Sequence, residues 1–374
     1  MSMEVDLHGL FENFSYNYKD YVYIEDPEDP ESGGGTAVFI SVLYSLAVAV
    51  GLFGNGLLLV ILFLKRRSWS VSDTLILHLS VSDVLLLLTL PFWAAQAALL
   101  DGWCFGGFLC KLSGALFNIN FYCGIFLLSC ACLDRYLSII HGIQSYFQEK
   151  PKLVPLTCLF VWVIPLILTI PDWVFMVAAK HSKQEKTQCV HNYSYFGTDQ
   201  KLVYRLPHHI LGFLLPTAIL FISCSCILLR LQRSSEVLRT QRAFFKIILP
   251  LVVAFLLCWM PYNITLIVDT IRDSSRELGV LQPGHESLET ALMATKVLGC
   301  IHACLRPLLY FGLCGKFRKR ALTLLGCGEV EQEGSLWELG VGKEAPPEQN
   351  HNEREELKQM MTTMTDHQVQ SAQC

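Results

Sequence analysis

The sequence predicts an all-α integral membrane protein: a bundle of seven transmembrane helices with a short amphipathic helix after the seventh span. Three observations carry this. The chain is 52% hydrophobic and only 17% charged over 374 residues, whereas a soluble chain of that length would split into about two domains and carry more charge. Its apolar residues fall in long blocks, seven of which reach the ~20 residues needed to cross a ~30 Å hydrocarbon core. Its basic residues concentrate in alternate short loops.

The blocks cover residues 37–64, 73–100, 108–139, 154–178, 204–231, 244–271 and 289–313. The third and fifth are long, as tilted or protruding helices are. Pro91, Pro165, Pro171, Pro216, Pro250, Pro261 and Pro307 lie inside them. In a bundle, neighbouring helices can satisfy the carbonyls that proline releases, so kinked helices are expected. Continuous apolar runs exclude a porin-like barrel, whose strands alternate over segments of about ten residues.

Lys65, Arg66 and Arg67 follow the first block, and Arg135, Lys150 and Lys152 follow the third. Arg230, Arg233, Arg239, Arg242 and Lys246 surround the fifth loop, and Lys316, Arg318, Lys319 and Arg320 follow the seventh block. All lie on one side, which is expected to be cytoplasmic. The N-terminus is then extracellular and the C-terminus cytoplasmic. Residues 1–36 hold nine acids and one lysine with no apolar core, so no signal peptide is expected and the first span both targets and anchors the chain.

Four parts follow: an acidic, tyrosine-rich arm (1–36), the bundle (37–313), an amphipathic juxtamembrane helix (314–327) and a cytoplasmic tail (328–374). The run "GKFRKRALTLLG" mixes basic and apolar residues and suits a helix lying on the inner leaflet lipid. Cys327 after it is either a palmitoylation candidate or an ordinary thiol. The tail is polar and rich in Glu and Gln, the composition of a disordered segment. Most of the 15 cysteines are single residues in apolar stretches, without zinc-site spacing, so no metal or other cofactor is expected.

Several signatures fall on these blocks: "GNGLLLV" with Asn55, "LSVSDVLLLLTLPFW" with Asp83, Cys110 opening the third block, "LDRYLSI" closing it, Trp162, Pro216, "CWMPY" and "RPLLY". Together they resemble the rhodopsin-like G-protein-coupled receptors over about residues 37–326. Within that family, "TLPFWA", "DRYLSIIH", "CWMPYN" and the acidic tyrosine-rich arm resemble the chemokine receptors. "GALFNINFY", "IPDWVF" and Asp269 look most like the type 3 branch of the CXC chemokine receptors.

The resemblance implies a cell-surface receptor in the plasma membrane that couples CXC chemokine binding to a heterotrimeric G protein and cell migration. Arrestin is a further candidate partner, and no nucleic acid is expected. Tyr16, Tyr18, Tyr21 and Tyr23 lie among acids and are sulfation candidates, in an arm that would attract basic chemokines. Trp93, Asp172 and Asp269 are the expected ligand contacts near the bundle mouth. Many chemokine receptors carry a Glu where this chain has Lys296, which is expected to pair with one of the two aspartates instead. Asn13 and Asn192 begin glycosylation sequons on the outer side.

The resemblance also implies a Cys110–Cys189 disulfide, worth roughly 4 kcal/mol as an upper figure by loop-closure entropy, with Cys104 a spare thiol nearby. Asp134-Arg135-Tyr136 matches the family's G-protein coupling switch, and Trp259 and Tyr310 are its moving parts. Two positions depart from the family. Its Asn-Pro-x-x-Tyr motif reads Arg306-Pro307-Leu308-Leu309-Tyr310, and Cys224 stands where a tyrosine usually meets Tyr310.

Arg306 cannot shed its charge, and at the centre of a membrane helix it costs at least ~2.5–3.5 kcal/mol if unpaired. At 1.5 Å per residue it lies roughly 10 Å from the inner end of its span, and Asp83 roughly 15 Å from the inner end of its own. An extended arginine bridges that difference. The family's Asp83 position holds a sodium ion, helped by groups such as Asn120, so Arg306 is expected to act as a tethered cation in its place.

These departures leave a second reading, a receptor that internalises chemokine with little G-protein signalling. A transporter would show repeats and more intramembrane charge. No nucleophile–base set or metal set marks an enzyme.

Overall fold

A computed structural model describes residues 30–65, 71–141, 153–180, 186–193, 198–233, 239–277 and 285–326. Seven helices within them are long and apolar enough to cross a membrane. They are Ala37–Leu64 (span 1), Asp73–Ala98 (span 2), Gly106–Leu137 (span 3), Leu156–Phe175 (span 4), Leu202–Gln232 (span 5), Lys246–Arg272 (span 6) and Thr290–Leu313 (span 7). A further helix, Gly315–Leu324, follows, with Phe317 and Ala321 buried against the bundle. Its Lys316, Arg318, Lys319 and Arg320 supply the basic character read from the sequence.

Pro165, Pro250, Pro261 and Pro307 lie inside continuous helices, whereas the helix changes near Pro91, Pro171 and Pro216. Span 2 breaks between Leu87 and Leu90, just before Pro91, and Thr89 Oγ1 donates to the Leu86 carbonyl at 2.7 Å. Span 4 breaks at Thr169, before Pro171, and Thr169 Oγ1 donates to the Leu166 carbonyl at 3.0 Å. In both, a threonine hydroxyl bonds a carbonyl at the interruption. Span 5 widens instead into a π-helical stretch, His208–Leu214, ahead of Pro216.

Span 3 runs through the middle of the bundle: 72% of its most apolar stretch is buried, against 33% for spans 1 and 4. Small residues set the closest approaches. A Cβ on Gly54 would come within 2.7 Å of the Pro307 ring, fixing span 1 against span 7. Asn55 Nδ2 donates to the Ala303 carbonyl at 3.0 Å across the same seam. The outward faces carry exposed Phe39, Phe63, Leu159 and Leu257, as hydrocarbon solvent permits.

One element was not in the sequence reading. The fourth block was expected to stay helical to residue 178. It leaves the helix at Phe175, and Met176–Lys180 (β1) pairs antiparallel with Thr187–His191 (β2). Local hydropathy could not reveal this, because the strand exists only where a second strand is present to satisfy its backbone.

Candidate functional site

At the hairpin end, Cys110 at the start of span 3 is disulfide-bonded to Cys189 of β2, with Cα atoms 5.5 Å apart. The Gln96 side-chain oxygen accepts from the Cys189 backbone N–H at 3.0 Å, so span 2 holds the same strand. The hairpin is thereby drawn over the bundle mouth. Met176 of β1 fills the space above Gly114, where any added Cβ would collide with its sulfur.

The three residues expected to contact ligand each have close partners within the bundle. Trp93 is buried in an aromatic group, its ring 5.6 Å from that of Trp103. Asp172 is buried and satisfied from inside: Asn118 Nδ2 donates to both its oxygens at 3.0 Å, and His191 Nε2 lies 2.7 Å from Oδ1. Asp269 accepts from Arg205 Nη1 at 2.5 Å. Lys296 was expected to pair with one of these aspartates. It does not, because nearer partners hold both. Its ammonium instead sits over the Trp93 ring, 3.4 Å from the centroid.

Asn118, His191 and Arg205 were missed by sequence reasoning. The available signal was that a polar residue inside an apolar span needs a partner. The same signal marks a buried polar chain below the mouth. Tyr122 Oη lies 2.6 Å from His208 Nδ1, and His208 Nε2 lies 3.0 Å from Asn263 Oδ1. Asn263 Nδ2 in turn donates to the Trp259 carbonyl at 2.8 Å. Just outside the spans, burial raises the Tyr193 phenol above its usual pKa, an effect opposed by the neighbouring Arg205 guanidinium.

Trp259 is fully buried next to this polar chain, with ring centroids of Phe117 and Phe121 at 5.1 and 5.0 Å. Gly299 of span 7 lies against its indole, where an added Cβ would stand 3.1 Å away.

Beneath Trp259 is the buried ion pair. Arg306 Nη1 donates to Asp83 Oδ2 at 2.8 Å and to the Leu79 carbonyl at 3.1 Å. Asn120 Nδ2 donates to the other Asp83 oxygen at 2.8 Å. Gly124 leaves room for the arrangement: a Cβ there would meet Phe255 at 2.7 Å and the guanidinium at 3.6 Å. At the opposite end from the hairpin, Arg135 is paired with Asp134 through Nε and Nη2, and Tyr136 is half-buried beside them. Cys224 meets Cys132 of span 3, sulfur to sulfur at 3.7 Å. Tyr310 is buried.

Tyr16, Tyr18, Tyr21, Tyr23, Asn13 and Cys327 lie outside the described residues. Asn192 directly follows β2, and its backbone N–H donates to the Phe175 carbonyl at 2.9 Å.

Residues 54–310 match the family model "7 transmembrane receptor (rhodopsin family)". The chain is 41% identical over 335 residues to C-X-C chemokine receptor type 3 of Bos taurus, covering 86% of this chain and 88% of the relative. It is 40% identical over 340 residues to the Homo sapiens type 3 receptor, covering 87% and 89%. C-X-C chemokine receptor type 2 of Homo sapiens is 33% identical over 329 residues, covering 87% and 89%.

The chain is a rhodopsin-family chemokine receptor.

The receptor is therefore a multi-pass membrane protein, and its Asp83 cluster can be tested against the family's sodium ion. It does not fit. The Arg306 guanidinium holds one carboxylate oxygen and the Asn120 amide the other. A second cation there would face a fixed positive charge at close range, inside a medium that screens it weakly.

Proposed function

We propose that this receptor binds CXC chemokines at the hairpin end and transmits binding to a heterotrimeric G protein at the Asp134-Arg135-Tyr136 end, driving cell migration. The observation that carries the reading is the intact ion pair between Arg135 and Asp134 beneath a continuous packed column. That column descends from Trp93 and Phe117 through Trp259 and Phe255. A ligand that shifts the column differs in its contacts between two bundle arrangements, which is what coupling two sites requires.

The hairpin end is extracellular on this reading. Its disulfide persists in an oxidising medium, and the basic loops lie at the other end. Spans 1 to 7 then sit in the plasma membrane, with the basic face of Gly315–Leu324 on anionic inner-leaflet lipid. The acidic arm supplies steering for a basic ligand, and Tyr16, Tyr18, Tyr21 and Tyr23 would add acceptors if sulfated. Arrestin would use the same inner end as the G protein.

A second reading, chemokine uptake with little G-protein signalling, is favoured by two observations. The Arg306–Asp83 pair ties span 7 to span 2 with a fixed charge. Cys224 meets a cysteine of span 3 where the family has a tyrosine. One experiment separates them. Candidate CXC chemokines are applied to cells expressing the receptor, and G-protein activation and ligand uptake are read together. Activation with uptake supports the first reading, uptake alone the second, and neither response overturns both.

A further inference from the structure

Near the hairpin end, span 7 presents a cation with no carboxylate bonded to it among the described residues. Lys296 is partly exposed, and its ammonium lies over two aromatic rings, 3.4 Å from the Trp93 centroid and 5.1 Å from that of Phe117. Among the described residues no carboxylate lies within ion-pair distance of it, although the charge of Asp172 reaches it from farther off. The carboxylate whose charge reaches Lys296, Asp172, is held by Asn118 and His191, and Asp269 is held by Arg205. An aromatic face stabilises a cation through its quadrupole, but it does not neutralise the charge. A positive charge in a low-dielectric cleft focuses its field on whatever enters.

The cradle is also stiff. Trp93 packs on Trp103, and Trp103 Nε1 donates to the Gly106 carbonyl at 2.9 Å. Phe117 packs on Trp259 and Tyr262, with centroids at 5.1 and 5.2 Å. Lys296 is therefore separated from Trp259 by one ring. It also stands one turn above Gly299, whose Cα lies against the same indole. A group bound at Lys296 would bear on Trp259 through Phe117 of span 3 and Gly299 of span 7.

We propose that Lys296 is the cationic anchor of the outer pocket and takes a carboxylate carried by the part of the ligand that enters the bundle. The aromatic walls accept the apolar or planar group beside that carboxylate. This rests on the reading of the hairpin end as the ligand-binding mouth, and it gives that mouth a ligand polarity opposite to one built on an acidic residue at this place.

The test uses the full chain in lipid nanodiscs and a small probe, naphthalene-2-carboxylate, against its neutral amide and the cationic 2-naphthylmethylamine. Binding is read by saturation-transfer NMR and competition. The acid is expected to bind about tenfold more tightly than the amide, the gain of one charge-assisted contact. Lys296→Arg keeps that preference, Lys296→Met loses it, and Lys296→Glu shifts it to the amine. Melting temperatures of the three variants check that each is folded. Equal binding of acid and amide by the wild-type receptor overturns the proposal, as does an acid preference that survives in Lys296→Met. A preference seen only after removal of residues 1–29 also overturns it, assigning the site to the receptor's own acidic arm. The probe does not depend on chemokine recognition. Failure here with an intact chemokine response leaves the proposed function standing, and a failed chemokine response leaves this result standing.

Discussion

Arg306 Nη1 donates to Asp83 Oδ2 at 2.8 Å, and the two side chains are 2% and 0% exposed. This pair joins span 7 to span 2 at the depth where the family carries an asparagine and an ion. It is a trade between a costly charge and a costly counter-charge: burial of both is tolerable only while they remain together.

Removing either partner should therefore be severe. Asp83→Asn and Arg306→Met are each expected to lower unfolding stability by roughly 3–5 kcal/mol, since one buried charge is left alone. The double variant should lose much less than the sum. Thermal melting of the purified receptor closes the cycle, and strictly additive losses would show that the two residues do not act as a pair.

Ligand binding by the wild-type receptor should be the same in sodium and potassium chloride at equal ionic strength, because the guanidinium holds the carboxylate. Arg306→Asn should make binding sensitive to sodium while Asp83 is intact. Sodium-sensitive binding already present in the wild type would contradict the assignment.

Gly124 is small because Phe255 and Arg306 crowd it. Gly124→Val forces Phe255 off its rotamer and should cost about 1–3 kcal/mol of stability, as overpacking does. Gly56, whose Cβ would meet nothing within 4 Å, provides the control. Gly56→Ala should leave the melting temperature unchanged or slightly raised.

Asp172 is held by Asn118 and His191, so its replacement should be felt first in stability. Asp172→Ala leaves both partners without their acceptor and should cost about 1–3 kcal/mol, lowering the melting temperature of the ligand-free receptor. A variant with unchanged melting but weakened chemokine binding would instead make Asp172 a direct ligand contact.

Cys104 is the exposed free thiol among the described cysteines, beside the bonded Cys110. On intact cells a membrane-impermeant maleimide should label the receptor, and Cys104→Ser should abolish that labelling. Absence of labelling in wild-type cells, with labelling restored on permeabilisation, would invert the orientation proposed here. Cys189→Ser should both free Cys110 for labelling and reduce chemokine binding, since the strand over the mouth loses its tether.

Much of the site was legible because membrane burial makes polar residues conspicuous. Asp83 and Arg306 could be matched by depth, since each charge in hydrocarbon demands an opposite one. Lys296 could not be matched in the same way. Two candidates of the right sign, Asp172 and Asp269, were available, and which acid met which base depended on side-chain geometry. The same holds for Cys224: that it occupies the usual tyrosine position was readable, but not that Cys132 would face it.

The sequence by itself determined the seven spans, the basic loops and the need for an acid near Arg306. These follow from local hydropathy, from charge, and from a backbone that must bond internally in lipid. Only the tertiary structure decided the pairings across long separations, 223 residues for Arg306 with Asp83 and 64 for Arg205 with Asp269. It also decided that residues 176–180 form a strand and that Lys296 rests on Trp93. Each is set by which helices become neighbours and how closely glycines let them approach, and a one-dimensional pattern of apolar runs does not contain that.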